Sequence, residues 1–387
     1  MDMNELFVNC KEEVKRRVRE ESAYTDEAVK KIILKVIAQK NKQKWISLSE
    51  RVLVGKKIFN GLCGMDVLQP ILDDEAVTDI MVNGPNHIYY EKNGQMKCST
   101  EHFEDAKRLE DLIQQIVGSV NRSVNEANPI VDARLADGSR VHVVLPPVAL
   151  NGPVLTIRRF RKRPITIEEL IEWKTLDRGT ATYLRKAVEE KKNIFVCGGT
   201  ASGKTTLLNV LSNFIPKEER IITIEDAAEL RLAHLENVVT LETRNENVEG
   251  KGKISMRDLI RASLRMNPDR IIVGEVRGGE ALDMLQAMNT GHEGSLSTGH
   301  ANSCTDMLMR IETMVLMGAD MPLEAIRQQI ASAIDLLIFV EKRKSDGRRV
   351  SEIRQVLGYR KGEIVTKKIM GLENEKIVWG NETESEK

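Results

Sequence analysis

The run Ile194-Phe195-Val196-Cys197-Gly198-Gly199-Thr200-Ala201-Ser202-Gly203-Lys204-Thr205-Thr206 decides the fold class. It opens on four apolar residues in succession, the pattern of a short strand buried on both faces. A glycine-rich turn follows. Leu207, Leu208, Val210, Leu211, Phe214 and Ile215 then repeat with helical spacing until Pro216 stops them. Strand, glycine loop and helix form the context in which G-x-x-x-x-G-K-[ST] becomes a phosphate cradle, and Gly198, Gly203, Lys204 and Thr205 satisfy that spacing. The glycines let backbone N–H groups turn inward around a phosphate, and the helix N-terminus adds partial positive charge. Lys204 has the reach for the β- and γ-phosphates, and the Thr205 hydroxyl suits Mg²⁺. Residues 198–206 are therefore the expected nucleotide-binding stretch, with ATP and Mg²⁺ as ligands. Cys197 beside the loop reads as a buried strand cysteine.

Working outward, two more apolar runs end in acids. Ile271-Ile272-Val273 runs into Gly274-Glu275, and Ile221-Ile222-Thr223-Ile224 into Glu225-Asp226. Ligands of open parallel sheets bind beyond the carboxyl ends of the strands, so the glycine loop, Glu225-Asp226 and Glu275 are predicted to converge. Gly274 stands where such a strand usually carries an Asp. Glu275 is then left to act on Mg²⁺ through water or to polarise the attacking water. Asp226 and Glu229 fit helix-cap acids equally well. Two of the six histidines, His292 and His300, flank a Gly/Ser-rich segment beyond Glu275, where a His donor could contact a γ-phosphate.

The 387 residues suffice for two or three domains. Zero net charge and 4% aromatic residues give neither an electrostatic footprint for nucleic acid nor a base-stacking platform. The first 60 residues are mildly basic, 14 Lys/Arg against 9 Asp/Glu, which suits a solvated helical face or a membrane-surface or partner patch. No run of 18 apolar residues occurs, MDMNELFVNC lacks the apolar stretch of a secretory signal, and the five cysteines are scattered without a C-x-x-C pair. Reduced thiols and a cytoplasmic location at a membrane complex are expected. Residues 1–64 read as a helical segment, with Val29, Ile32, Ile33, Val36 and Ile37 on one face and Gly55, Gly61 and Gly64 at its end. Residues 65–160 read as a small α/β domain: strands at 78–82, 87–90, 141–145 and 155–157, Asn-Gly turns at 83–84 and 93–94, and a helix over 104–120. Arg161-Lys162-Arg163-Pro164 opens a linker over 161–175. Residues 176–387 alternate strands with helices, which predicts a mostly parallel sheet covered by helices. A strand at 335–340, a turn at 345–347 and further strands close the chain, and 381–387 read as frayed.

The glycine loop, Ile222-Thr223-Ile224-Glu225-Asp226-Ala227-Ala228-Glu229-Leu230, residues 265–277 and the His segment together resemble the type II/type IV secretion ATPase superfamily, where they are the Walker A, Asp box, Walker B and His box. Residues 131–140, 155–160 and 294–298 are most similar to the CpaF-like branch, the Tad/Flp-type pilus assembly and secretion ATPases. The resemblance covers 65–345. It implies a RecA-like motor domain, a PAS-like α/β domain before it and a homohexameric ring. It also implies Glu225 as water-polarising group, Glu275 as the Mg²⁺-associated acid and His300 as γ-phosphate contact. Arginines are implied to reach the γ-phosphate: Arg134, Arg140 and Arg158 from the N-terminal domain, with Arg140 and Arg158 the catalytic pair, and Arg244, Arg261, Arg265 and Arg277 as candidates in the motor. The implied function is ATP hydrolysis that powers Tad/Flp-type pilus assembly or type II/IV-like protein secretion, with an inner-membrane platform protein as partner and no direct nucleic acid. The alternative is a DNA-transfer (conjugation) ATPase or RecA-like nucleic-acid translocase; a small-molecule kinase is a third, weaker fit. Two departures stand out. The tetracysteine zinc module of many type II relatives is missing, which argues against that branch, and Gly299 replaces a bulkier residue before His300.

Overall fold

The computed structural model describes residues 3–21, 25–43, 45–135, 137–159, 163–244, 246, 251–343, 347–373 and 376–380. The chain divides into two units, Met1–Lys162 and Arg163–Lys387.

The first unit begins with three helices, α1 (Met3–Glu20), α2 (Asp26–Gln43) and α3 (Leu48–Cys63). The apolar stripe Val29, Ile32, Ile33, Val36 and Ile37 is buried, packed with Leu6, Cys10 and Val14 of α1 and Val54 and Ile58 of α3. Ser47 starts α3 with a reciprocal cap: its hydroxyl accepts from the Glu50 N–H, and the Glu50 carboxylate accepts from the Ser47 N–H. Gly55 and Gly61 do not end the helical segment; both lie inside α3. A Cβ on Gly55 would make ordinary contact with Ile37 Cδ1, at 3.4 Å. Gly64 is the C-cap.

A 3-10 turn (Asp66–Leu68) leads through α4 (Gln69–Leu72) into a six-stranded antiparallel sheet. Its strands are β1 (Val77–Asn83), β2 (Ile88–Lys92), β3 (Gln95–Cys98), β4 (Ile130–Arg134), β5 (Arg140–Val144) and β6 (Val154–Arg158), in the order β3-β2-β1-β6-β5-β4. One face packs on α5 (Ala106–Ser119): Leu109, Leu112, Ile113, Ile116 and Val117 of the helix meet Ile80, Val82, Val141, Val143, Leu155 and Ile157 of the strands. Every second strand residue therefore turns to the opposite face. β4 carries little apolar signal (Ile130, Val131 and Ala133 among Asp132 and Arg134), and pairing with β5 makes it a strand.

In the second unit, α6 (Ile167–Glu172) occupies part of the stretch expected as a linker. Thr166 caps it, and Ile167 and Leu170 are buried in the core with Leu184 and Leu208, so the segment is packed structure. Next come α7 (Arg178–Glu189), β7 (Ile194–Gly198), α8 (Lys204–Ser212), β8 (Ile221–Glu225), β9 (Val238–Glu242), α9 (Met256–Ser263), β10 (Arg270–Val273) and α10 (Glu280–Asn289). They are followed by β11 (Leu296–His300), α11 (Cys304–Gly318), α12 (Leu323–Ala333), β12 (Leu336–Arg343), β13 (Gly347–Arg360), β14 (Glu363–Glu373) and β15 (Lys376–Trp379). The sheet order is β15-β14-β13-β12-β7-β11-β10-β8-β9. From β12 to β9 every pairing is parallel, and β13 to β15 extend the sheet antiparallel. Buried on both faces, β7 sends Phe195 and Cys197 to the layer of α9 to α12 and Ile194 and Val196 to that of α7 and α8. Arg270, at the start of β10, is wholly buried; its guanidinium donates to both oxygens of Glu219 and to the Val188 carbonyl. Gly294 leaves that room, since a Cβ there would come within 2.6 Å of the guanidinium. Part of the turn expected at 345–347, and all of 381–387, lie outside the described residues. Among the described residues no helix is long and apolar enough to cross a membrane.

Candidate functional site

Parallel register sets the site. Gly198 pairs with both His300 and Val340, Val273 with Ile224 and Ser297, so β7, β8, β10 and β11 end side by side. The glycine loop leaves β7 and enters α8 with Gly203 as N-cap, at φ 99°, and with Ala201 also left-handed at φ 57°. These backbone states let successive N–H groups face one point. A Cβ on Gly198 would lie 2.1 Å from the Val340 carbonyl oxygen, so the strand–loop junction admits no side chain. Gly199 and Thr200 are exposed, Thr205 and Thr206 half-buried, and the Ser202 hydroxyl is buried with no hydrogen-bond partner among the described residues. That orphan hydroxyl and the inward nest suit a phosphate, and Thr205 on the first turn of α8 suits its metal ion. Arg348 on β13, far away in sequence, donates from Nε to the Ala201 carbonyl at 3.0 Å. Nothing in the sequence signals this contact.

Lys204 is buried, its Nζ donating to the Gly199 carbonyl (2.9 Å) and standing 3.3 Å from His300 Nδ1. His300 Nε2 lies 2.9 Å from Glu275 Oε1, an ion-pair distance without full hydrogen-bond alignment. Arg277 donates to Glu275 Oε2 (2.7 Å) and sits 3.3 Å from Asp226 Oδ2. Burial pushes the His300 imidazolium down from 6.5; Glu275 opposes this, and the cations Lys204, Arg277 and Arg310 add to it. His300 is therefore neutral at pH 7, with Nδ1 accepting from Lys204 and the proton on Nε2 toward Glu275. Burial likewise lowers Lys204, against the pull of Glu275, and the hydrogen bond to Glu275 raises Arg277.

Glu225 is held by its own loop. Its side chain is buried and accepts from the backbone N–H groups of Glu229 (2.9 Å) and Leu230 (3.2 Å), holding the loop after β8. Gly274 makes room for it: a Cβ on Gly274 would stand 2.9 Å from Glu225 Cγ. The missing strand-end Asp is thus a packing consequence of Glu225. Gly299 is explained similarly, since a Cβ there would meet the buried Met307 at 2.3 Å. His292 precedes β11 and so lies at the opposite end of the strand from His300, where its carbonyl accepts from Ser295. Arg261 pairs with Asp283, and Arg244 donates to the Gly252 carbonyl; Arg265 is exposed. Cys197 is buried as expected.

In the first unit, pairing brings together arginines that are far apart in sequence. Arg134 is opposite Arg140, Arg140 opposite Arg158, and Arg158 opposite Asp79, so all four stand in one row on the face away from α5. Arg158 Nε is 4.0 Å from Asp79, and Arg134 Nε donates to the Gly138 carbonyl.

A glycine nest, a buried lysine and an acid–histidine pair at the carboxyl edge of a parallel sheet define a nucleotide-binding α/β protein. The particular family follows from comparison with known proteins. Residues 63–367 match the type II/IV secretion system protein family, and the chain belongs to this secretion ATPase superfamily. It is 33% identical over 317 residues to the conjugal transfer protein TrbB of Rhizobium radiobacter, covering 81% of this chain and 94% of that one. It is 35% identical over 316 residues to the type IV secretion system protein PtlH of Bordetella pertussis (75% and 93%). Among solved structures it resembles the pilus retraction motor PilT with bound ADP, with a TM-score of 0.54 at 21% identity (82% and 84%). The fold is that of this group: an N-terminal domain followed by a RecA-like ATPase domain.

Proposed function

We propose that the protein is an ATP-hydrolysing motor that works as a homohexameric ring at the cytoplasmic face of a membrane. It powers Tad/Flp-type pilus assembly or a related protein secretion system through an inner-membrane platform protein. The observation that carries the reading is the continuous chain Gly199–Lys204–His300–Glu275–Arg277–Asp226 along four strand ends, beside the glycine nest.

In this reading residues 198–206 hold the phosphates and Lys204 reaches the β- and γ-phosphates. Thr205, with Glu275 acting through water, would hold Mg²⁺, which supplies neutralisation of phosphate charge. His300 contacts the γ-phosphate and, already coupled to Lys204 and Glu275, reports its presence to the strand ends. Arg140 and Arg158 stabilise transition-state charge; a row of like cations is a natural answer to a polyanion. Glu225, the acid of the Asp box, either polarises the water after releasing Glu229 and Leu230 or acts by positioning their loop. The direct test is ATP turnover of Lys204→Ala and Glu275→Ala in the assembled protein. Each should lose on the order of 10²-fold or more, and unchanged turnover in both would sink the mechanism.

A second reading, a DNA-transfer ATPase, is favoured by the name of the TrbB relative. It predicts DNA-stimulated turnover that falls steeply with salt. The neutral overall charge supports protein cargo instead.

A further inference from the structure

Residues 30–57, from the second turn of α2 into the third turn of α3, carry nine lysines and arginines against one acid, Glu50, with Lys57 paired to Glu101 from outside the stretch. That acid is spent within the fold: its carboxylate closes the Ser47 cap, and the bonds to Ser47 hold it below the usual carboxylate range. On α2, Lys31, Leu34, Lys35 and Lys42 are exposed on the helix face opposite the buried stripe Val29, Ile32, Ile33, Val36 and Ile37. At the connection to α3 the apolar surface is unusually open: Trp45 is 79% exposed, Leu48 68% and Val52 51%, while Leu34 on α2 is 68%. Leu48, Val52 and Lys56 follow at i, i+4 and i+8, one stripe of α3.

A solvated helical face explains the lysines but not four large apolar side chains standing among them. We infer that the α2–α3 end of the first unit is a docking surface for an anionic lipid bilayer. Lysines beside the headgroups and a Trp with aliphatic neighbours at the acyl boundary are the two components of interfacial binding. Trp suits the headgroup level because its ring is apolar and its N–H polar. The positive charge beside exposed apolar side chains selects the anionic bilayer as occupant. The inference deepens the proposed work at a membrane by naming the surface that touches it.

The test is sedimentation of the full chain with vesicles of equimolar phosphatidylcholine and phosphatidylglycerol, against phosphatidylcholine alone, together with tryptophan emission. The wild type should partition onto the anionic vesicles with a blue shift that disappears in Trp45→Ser. Combined Lys31→Glu, Lys35→Glu and Lys42→Glu should weaken partitioning by on the order of 10²-fold. Combined Trp45→Ser, Leu48→Ser and Val52→Ser should weaken it by about tenfold or more. All these positions are exposed and none belongs to the nucleotide site, so vesicle-free ATP turnover should stay unchanged and also reports that the variants fold. Equal binding to both vesicle types, no binding to either, or variants that bind like the wild type would each overturn the surface. With turnover intact, that failure leaves the motor reading standing; loss of the motor reading is read separately, from Lys204→Ala.

Discussion

The two sheets arrange charge at their candidate functional regions in opposite ways. At the carboxyl edge of the nine-stranded sheet, charges of both signs are interleaved: Lys204, the neutral His300, Glu275, Arg277 and Asp226 form one chain of contacts within 3.3 Å. On the open face of the six-stranded sheet, Arg134, Arg140 and Arg158 stand in adjacent register with Asp79 at the end of the row. The first arrangement is self-compensated from the buried Lys204, where an uncompensated charge is costly, out to the exposed Arg277 and Asp226. The second sets like charges opposite one another, which lowers sheet stability; Arg158 there is exposed and Arg134 and Arg140 are half-buried.

The contrast can be broken most severely at the arginine row. Arg140→Ala with Arg158→Ala should cut ATP turnover by on the order of 10³-fold, while thermal stability stays level or rises by up to ~1 kcal/mol. A loss of stability equal to the loss of activity would make the row structural. Next is the buried compensated pair that the second unit uses away from its site. Arg270→Ala leaves Glu219 facing the core and should cost about 3–5 kcal/mol in denaturant unfolding; a midpoint unchanged from wild type would show that the pair is not needed. Smaller again is Gly274→Asp, which restores the usual strand-end acid. The new side chain displaces Glu225 from Glu229 and Leu230, and a destabilisation of about 1–3 kcal/mol is expected; a neutral result would mean that Glu225 has somewhere else to go.

The smallest effect is in pH. Burial, aided by Lys204, Arg277 and Arg310, holds His300 below its ordinary value near 6.5. Between that value and the folded one the unfolded chain binds more protons, so stability rises with pH there. The His300 contribution is full above about pH 6.5 and is lost as pH falls through the folded value. His300→Asn should flatten this acid-side decline in melting temperature. A decline equally steep in the variant would place its origin elsewhere.

Much of the second unit was legible because its signals are local. A buried strand, a glycine nest and a helical repeat sit next to one another in 194–215, and parallel sheets place strand ends together by rule. The convergence of Lys204, Glu275 and His300 follows from that rule. The behaviour of Glu225 does not, because whether a strand-end carboxylate faces the ligand or its own loop depends on hydrogen-bond donors four and five residues on. Gly55 and Gly61 look like breaks in the sequence, yet the packing of Val54 and Ile58 carries α3 through both. Part of 161–175 looked like a linker from its Arg/Pro opening, yet Ile167 and Leu170 fasten α6 into the core.

By itself the sequence determined the α/β class, the phosphate loop and the acids and histidine that end the neighbouring strands, because each is written within a dozen residues and follows from backbone geometry. Only the tertiary structure decided what those groups touch. Long-range pairing set three arginines in one row and carried Arg348 to the Ala201 carbonyl. Register between strands and room beside a glycine are properties of contacts across the fold, and no local pattern encodes them.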